Sequence, residues 1–338
     1  MTDAGTSGGQ IDTGKPHSAR MYDYYLGGKD NYPVDVEAAE QVISLFPATR
    51  ELALTNRLFM HRASRLLAGR GVRQFLDIGT GIPTEPNLHQ IVQGIVPQAR
   101  VVYADNDPIV LRHAQALLHS APEGKTAYVH GDVREPGKII AAARETLDFT
   151  QPIALSLVAL LHLVGDEDEP RRIVRELLEP LPSGSYLTLS HATGDFDPET
   201  WERVVEVYRK GGTAAQVRTR DEFSAFFTGL ELVEPGVVPA ARWHPELGEQ
   251  RGRRDAPLCG GCPQAVTDGC PADRAVRHGL PIPGLTGLTR AGTAPARRSA
   301  PGGRGRPGRG SGGRCGSRRP RRSGRSCRRP RPGSRPGR

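Results

Sequence analysis

The hydrophobic pattern of the chain changes period near residue 73. Before that point apolar residues recur at helical spacing. Val36, Ala39, Ile43 and Phe46 mark one helix that Pro47 ends, and Leu52, Leu58, Phe59, Ala63, Leu66 and Leu67 mark a second, from about Ala48 to Leu67, with Gly69 as its stop. Beyond it come short apolar runs that read as buried strands: "RQFLDIGTG" (73–81), "ARVVYADND" (99–107), "TAYVHGDV" (126–133), "PIALSLVALLHLV" (152–164) and "GSYLTLSHAT" (184–193). Helical stretches at 108–119, 136–146 and 168–179 lie between them, and helices at 198–210 and 220–228 follow. Strands alternating with helices predict an α/β fold, a parallel sheet with helices on both faces. "LELVEPGVVPAARWHP" (230–245) then reads as an antiparallel strand pair or an edge strand.

Two regions carry no such periodicity. Residues 1–18 are small and polar and are expected to be disordered, and so is everything after residue 250. The expected organisation is therefore a disordered N-terminus (1–18), lid and cap helices (19–72), a core (73–250) and an Arg/Gly/Pro-rich tail (251–338). Composition sharpens that last boundary. The tail holds 22 arginines, no lysine and three acids, so the chain's net charge of +9 leaves residues 1–250 at about −10. An acidic core argues against a bare nucleic-acid substrate. Arginine also outnumbers lysine before residue 250, which suits GC-rich coding DNA, and a displaced reading frame would yield such a tail. On that reading "PLCGGC" (257–262) stands where a final glycine-containing strand belongs, and that strand is damaged or missing.

All five cysteines lie in the tail, which leaves the core without a disulfide framework or thiol chemistry. No basic start leads into an apolar run, and no uninterrupted apolar stretch is long enough to span a bilayer. These features point to a cytoplasmic protein.

The chemistry concentrates at the predicted strand ends. "LDIGTGIPT" (76–84) closes the first strand, where Gly79 and Gly81 let a ligand approach the backbone. The third glycine of a dinucleotide fingerprint is replaced by Thr84, and Asp77 makes a poor neighbour for a pyrophosphate. An anionic turn suits a ligand carrying a sulfonium or ammonium group, which favours S-adenosylmethionine over NAD. Asp105, with Asn106 beside it, ends the second strand and can accept ribose hydroxyls; Asp132, followed by Val133, ends the third and can accept from an adenine amino group. Each acid alone is ordinary turn chemistry, but three at consecutive strand ends form a nucleoside site.

The segments "FLDIGTGIPT", "VVYADNDPIVL", "YVHGDVREP" and "LVALLHLVGDEDEP", preceded by "ARMYDYYLGGKDNY" (19–32), resemble an actinobacterial S-adenosylmethionine-dependent methyltransferase family formerly known as a domain of unknown function. The resemblance runs from about Pro16 to His244. It implies a class I methyltransferase, Rossmann-like sheet and donor contacts at Asp77, Gly79, Gly81, Asp105 and Asp132, with no substrate attached.

His162 and His191 end the fourth and fifth predicted strands, on the rim where an acceptor would meet the methyl group. Each is either a general base or a packed rim histidine. The tyrosine segment holds four of the chain's eight tyrosines. It is either a lid folded over the crevice, with Tyr22, Tyr25 and Gly28 against the donor and Asp23, Lys29, Asp30 and Asn31 as anchors, or a cover for an apolar sheet edge. Cys259, Cys262, Cys270 and His278 make a conceivable zinc set, weakened by the absence of a fold around them, so no metal is expected. The expected partner is a small-molecule acceptor, with no membrane. The rival readings are an NAD-dependent oxidoreductase and a non-catalytic nucleic-acid binder acting through the tail.

Overall fold

The computed structural model describes residues 12–117, 120–247 and 284–290. Three helices lead: α1 (Ser18–Tyr25), α2 (Pro33–Leu45) and α3 (Thr49–Gly69). Alternating units follow as β1 (Gln74–Ile78), α4 (Leu88–Gln93), β2 (Arg100–Asp105), α5 (Pro108–Leu117), β3 (Lys125–His130), α6 (Pro136–Ala143), β4 (Ala154–Leu157), α7 (Pro170–Leu178) and β5 (Tyr186–His191). After α8 (Pro198–Lys210) and α9 (Arg220–Ser224) come the short strands β6 (Glu231–Leu232) and β7 (Val238–Pro239), and then β8 (Leu285–Arg290).

The sheet runs β3-β2-β1-β4-β5-β8-β6, with β7 also paired to β8. Strands β1 to β5 are parallel, whereas β8 is antiparallel to β5, β6 and β7. Period-two alternation explains the two cores. Leu76 and Ile78 of β1, with Val102 and Ala104 of β2, pack on Ile139 of α6 and Ile173 and Leu177 of α7. Phe75, Val101 and Tyr103 point the other way, onto Phe59 and Leu67 of α3 and Val92 of α4. Because both faces are covered, β1 is buried at all five positions. A third cluster joins Met21 and Tyr25 of α1, Ala39 and Val42 of α2 and Trp201 and Val204 of α8, so the leading helices form a cap against α8. After β3 the chain crosses back to place β4 beside β1, and the strand order reverses there, which opens a crevice at the carboxyl ends.

Several expectations change. The apolar run 152–164 is a strand only over Ala154–Leu157. It then leaves the sheet through Ala159, at φ 54°, and a 3-10 turn at Leu161–Leu163, which together form a rim of the crevice. Leu58, expected on the buried face of α3, is 37% exposed. The tyrosine segment is largely helical: α1 carries Tyr22, Tyr24 and Tyr25, and Tyr32 is the N-cap of α2. Residues 12–17, expected in a disordered N-terminus, include His17, whose Nδ1 accepts from the Ala19 amide and whose own amide donates to Asp35 at 2.8 Å.

The largest correction concerns the last strand. Beside β5 the sheet continues with "LTGLTR" in β8, deep in the region read as tail; "PLCGGC" lies outside the described residues. Six register pairs tie β8 to β5, from Tyr186 opposite Arg290 to His191 opposite Leu285. Gly287 sits where a side chain has no room, since a Cβ there would come within 2.6 Å of the Phe227 ring. The strand is therefore neither missing nor damaged. The zinc set Cys259, Cys262, Cys270 and His278 also falls outside the described residues.

Candidate active site

At the reversal of strand order the turns after β1, β2, β3 and β4 surround a cleft of about 970 Å³, counting its open mouth. Asp77, Gly79 and Gly81 from β1 and its turn, Asp105 and Asn106 from β2, Val133 beyond β3 and His162 beyond β4 line it, together with Tyr22 from α1. Gly79 and Gly81 both adopt positive φ, 71° and 68°, which gives the turn its sharp bend. A Cβ on Gly81 would meet nothing within 4 Å and would project into free space, so the bare backbone keeps the cleft floor open.

Asp105 is fixed by its own neighbourhood. Its Oδ2 accepts from the Gly81 amide and its Oδ1 from the Asp107 amide, both at 2.9 Å. Each carboxylate oxygen has a second lone pair, which leaves acceptor capacity for a ligand's hydroxyls. Burial raises the Asp105 carboxyl above the usual range, with the two amides working against it. Asp77 accepts from the Thr80 hydroxyl at 2.8 Å, and burial pushes its carboxyl up to about 6, offset in part by Thr80 and by the charge of Arg57. Two carboxyl groups held short of water at one turn form a receptor for positive charge.

Not every expected residue reaches the cleft. Tyr25 lies away from it, its hydroxyl 3.1 Å from that of Tyr208. Gly28 packs against Asp23, whose carboxylate a Cβ would overlap, and Asp23 accepts from the Asp30 amide at 2.9 Å and from Asn31 at 3.0 Å. These residues tie the turn after α1 to itself. Asp132 points to Arg134, 2.6 Å away, and to Asn106 at 3.3 Å. Burial would raise its carboxyl, but the bonds from Arg134 outweigh it and hold the group below the usual range. Only its neighbours Gly131 and Val133 line the cleft.

The two histidines separate as well. His191 has both ring nitrogens committed, with Nδ1 donating to the Ala192 carbonyl at 2.6 Å and Nε2 accepting from Arg218 at 2.9 Å. Burial, then His162 and Arg218, drive its pKa well below the usual value, so it is a packed neutral histidine with no free base. Arg218 goes on to donate to the Leu161 and Val164 carbonyls and to Asp166, which fastens the rim loop after β4 to the end of β5. His162 remains in the cleft wall. Burial and Arg218 lower its pKa to about 4, which keeps the ring neutral at physiological pH and makes it a weak base.

Several lining residues escape a motif reading, His17 and Arg57 among them. Arg57 of α3 donates to the carbonyls of Thr84 and Pro86, and its buried Nε has no partner among the described residues. A signal for it exists: Arg57 follows Ala53 by four positions and precedes Met60 by three, so an arginine occupies the buried stripe of α3.

A parallel Rossmann-like sheet with one reversed strand, and a cleft that sets the buried Asp77 beside the Gly79 and Gly81 turn with Asp105 at the end of β2, define a class I methyltransferase. The chain belongs to the S-adenosyl methyltransferase family, whose model matches residues 4–265. Among solved structures it is similar to a DUF574 family protein from Streptomyces avermitilis, 45% identical over 83% of this chain and all of that one, with a TM-score of 0.72. It is also similar to a candidate methyltransferase from Thermobifida fusca, 34% identical over 83% of this chain and 97% of that one, with a TM-score of 0.68. No functionally curated protein matches it. The methyl donor is accordingly S-adenosylmethionine. No helix among the described residues is long and apolar enough to cross a membrane.

Proposed function

We propose that the cleft over β1 and β2 holds S-adenosylmethionine and that the methyl group passes to a small-molecule acceptor entering beside Tyr22 and His162. The pair of buried carboxyl groups, Asp77 and Asp105, carries this reading. The donor fits the residues present. Asp105 retains lone pairs for ribose hydroxyls, Gly81 leaves the floor open, and the buried Arg57 Nε is unused beside the same wall. When bound, the donor supplies an electrophilic methyl group on a positively charged sulfur.

The chain's own part is positioning and charge. Asp77 and Asp105 offset the donor's positive charge where little water competes. The Tyr22 ring is held in the wall by two hydrogen bonds, its hydroxyl donating to the Ala53 carbonyl at 2.9 Å and accepting from Asn56 at 3.0 Å, and it offers a π face to a cation. His162, neutral and weakly basic, orients an acceptor by hydrogen bonding, and alignment supplies most of the rate. The domain division follows the same logic, with α1 to α3 as the cap over the cleft and 73–250 plus β8 as the donor-binding core. The test is titration calorimetry with S-adenosylmethionine. Asp105→Ala should weaken binding at least tenfold, and an unchanged affinity in a folded variant would remove the carboxylate from the site.

A further inference from the structure

Behind the donor cleft lies a second cavity, of about 810 Å³ with its opening, between the cap helices, α8 and the carboxyl end of β5. The two spaces share a wall made of Tyr22, Asn56, Ala159, His162 and Tyr208. Their chemistry differs. The donor cleft is lined by Asp77, Asp105 and Arg57, whereas among the described residues the second cavity has no Asp, Glu, Lys or Arg in its lining. Its far side is aromatic and aliphatic, with Phe46 and Trp201 at a centroid distance of 5.6 Å and Val204 beside them.

The polar groups that do border it are mostly spoken for. The hydroxyls of Tyr25 and Tyr208 face each other at 3.1 Å, the Tyr22 hydroxyl is bonded to Ala53 and Asn56, and both His191 nitrogens are engaged. An ionised ligand would lose its hydration here and find no counter-charge among the described residues, which disfavours the charged form. His162 lies in the shared wall with its pKa lowered to about 4, so it offers no positive charge either.

We propose that this cavity is the acceptor site and that the acceptor is an uncharged molecule with a flat aromatic body, whose nucleophilic hydroxyl faces the wall at Tyr22 and His162. The assignment rests on the donor occupying the adjoining cleft. In the transfer the acceptor oxygen forms a bond to the methyl carbon and the carbon–sulfur bond breaks. Its electron pair stays on sulfur, and the hydroxyl proton leaves to water through the mouth of the donor cleft. A neutral ether and S-adenosylhomocysteine result, so no charge is left in the apolar cavity.

The test uses the full chain saturated with S-adenosylhomocysteine, and 1-naphthol and 1-naphthoate as matched neutral and anionic probes in equilibrium dialysis. Naphthol should bind at least tenfold more tightly than naphthoate. Val205→Phe and Ala192→Leu fill the cavity from positions outside the donor cleft, and either should weaken naphthol binding at least tenfold with S-adenosylhomocysteine affinity unchanged. Equal binding of the two probes by the wild-type chain overturns the proposal. So does a filled variant that binds both S-adenosylhomocysteine and naphthol like wild type. If one variant does not fold, the other and the wild-type comparison still decide. Loss of naphthol binding in Val205→Phe, together with an Asp105→Ala variant of full S-adenosylhomocysteine affinity, would refute the donor assignment and leave the cavity standing.

Discussion

Replacing Asp77 by asparagine separates what this side chain does to the fold from what it does for the ligand. The buried carboxyl at the end of β1 has its pKa raised from 3.8 to about 6, chiefly by burial. Between those values the folded chain holds more protons than the unfolded one. The favourable contribution is therefore complete below about pH 4 and is lost as the pH rises through about 6. Two pH units correspond to about 3 kcal/mol, so the ionised group destabilises the empty fold at pH 7 by on the order of 1 to 3 kcal/mol. Asparagine keeps the shape and an oxygen for the Thr80 hydroxyl while removing the charge. Urea denaturation should show Asp77→Asn to be more stable than wild type by that amount at about pH 7, with the gain vanishing near pH 4.

The same substitution should weaken S-adenosylmethionine binding at least tenfold at neutral pH. In the wild-type chain, affinity should fall roughly tenfold between about pH 7 and pH 5 as the carboxyl takes up a proton. The variant's slope should be shallower, and what remains belongs to Asp105, which burial also raises. A variant that is less stable at neutral pH, or that keeps the full pH dependence of binding, would refute the reasoning.

Three further outcomes follow from the geometry. Tyr22→Ala should lower donor affinity, whereas Tyr25→Ala, which loses its contact with Tyr208 behind the cleft, should cost about 2 to 4 kcal/mol of stability and leave donor affinity within twofold; calorimetry and denaturation separate the two. Gly287→Ala should destabilise by about 1 to 3 kcal/mol through its collision with Phe227, measurable as a lower thermal midpoint, and an unchanged midpoint would show that the ring moves freely. A chain ending at residue 283 lacks β8 and leaves β5 unpaired on one side, so it should lose cooperative unfolding by circular dichroism.

What could be read from the sequence was whatever depends on near neighbours. β1 to β5 show as apolar runs because central parallel strands are buried on both faces, and Asp77 and Asp105 follow from standing at the ends of such runs. Side-chain partnerships are less legible. His191 reads as either a rim base or a packed histidine, and the structure shows Arg218, 27 positions on, holding its second nitrogen. Asp132 reads as a ligand acceptor, and in the structure Arg134, two positions away, bonds the same carboxylate. β8 is short and lies within a glycine- and arginine-rich region, so its strand character emerges only from the pairing that β5, β6 and β7 provide.

The tyrosine cluster that stands out in the sequence turns out to serve several environments. A helix turns about 100° per residue, so Tyr22 and Tyr25, three positions apart, share a face of α1 while Tyr24 points elsewhere. Tyr22 faces the wall between the two cavities, Tyr25 lines only the apolar one, and Tyr24 lies outside under the Arg50 guanidinium, 4.6 Å from its ring centre. Tyr32 begins α2 and has the Arg20 guanidinium 5.3 Å from its ring centre. Arg20 in turn lies 3.4 Å from Asp35 and 3.7 Å from Asp107, two residues past the ribose candidate Asp105. The cap is thus connected to the cleft over β1 and β2 by a buried ionic cluster and to the second cavity by aromatic packing. A single helix of eight residues therefore bears on both sites, and its order and the geometry of the shared wall are one property.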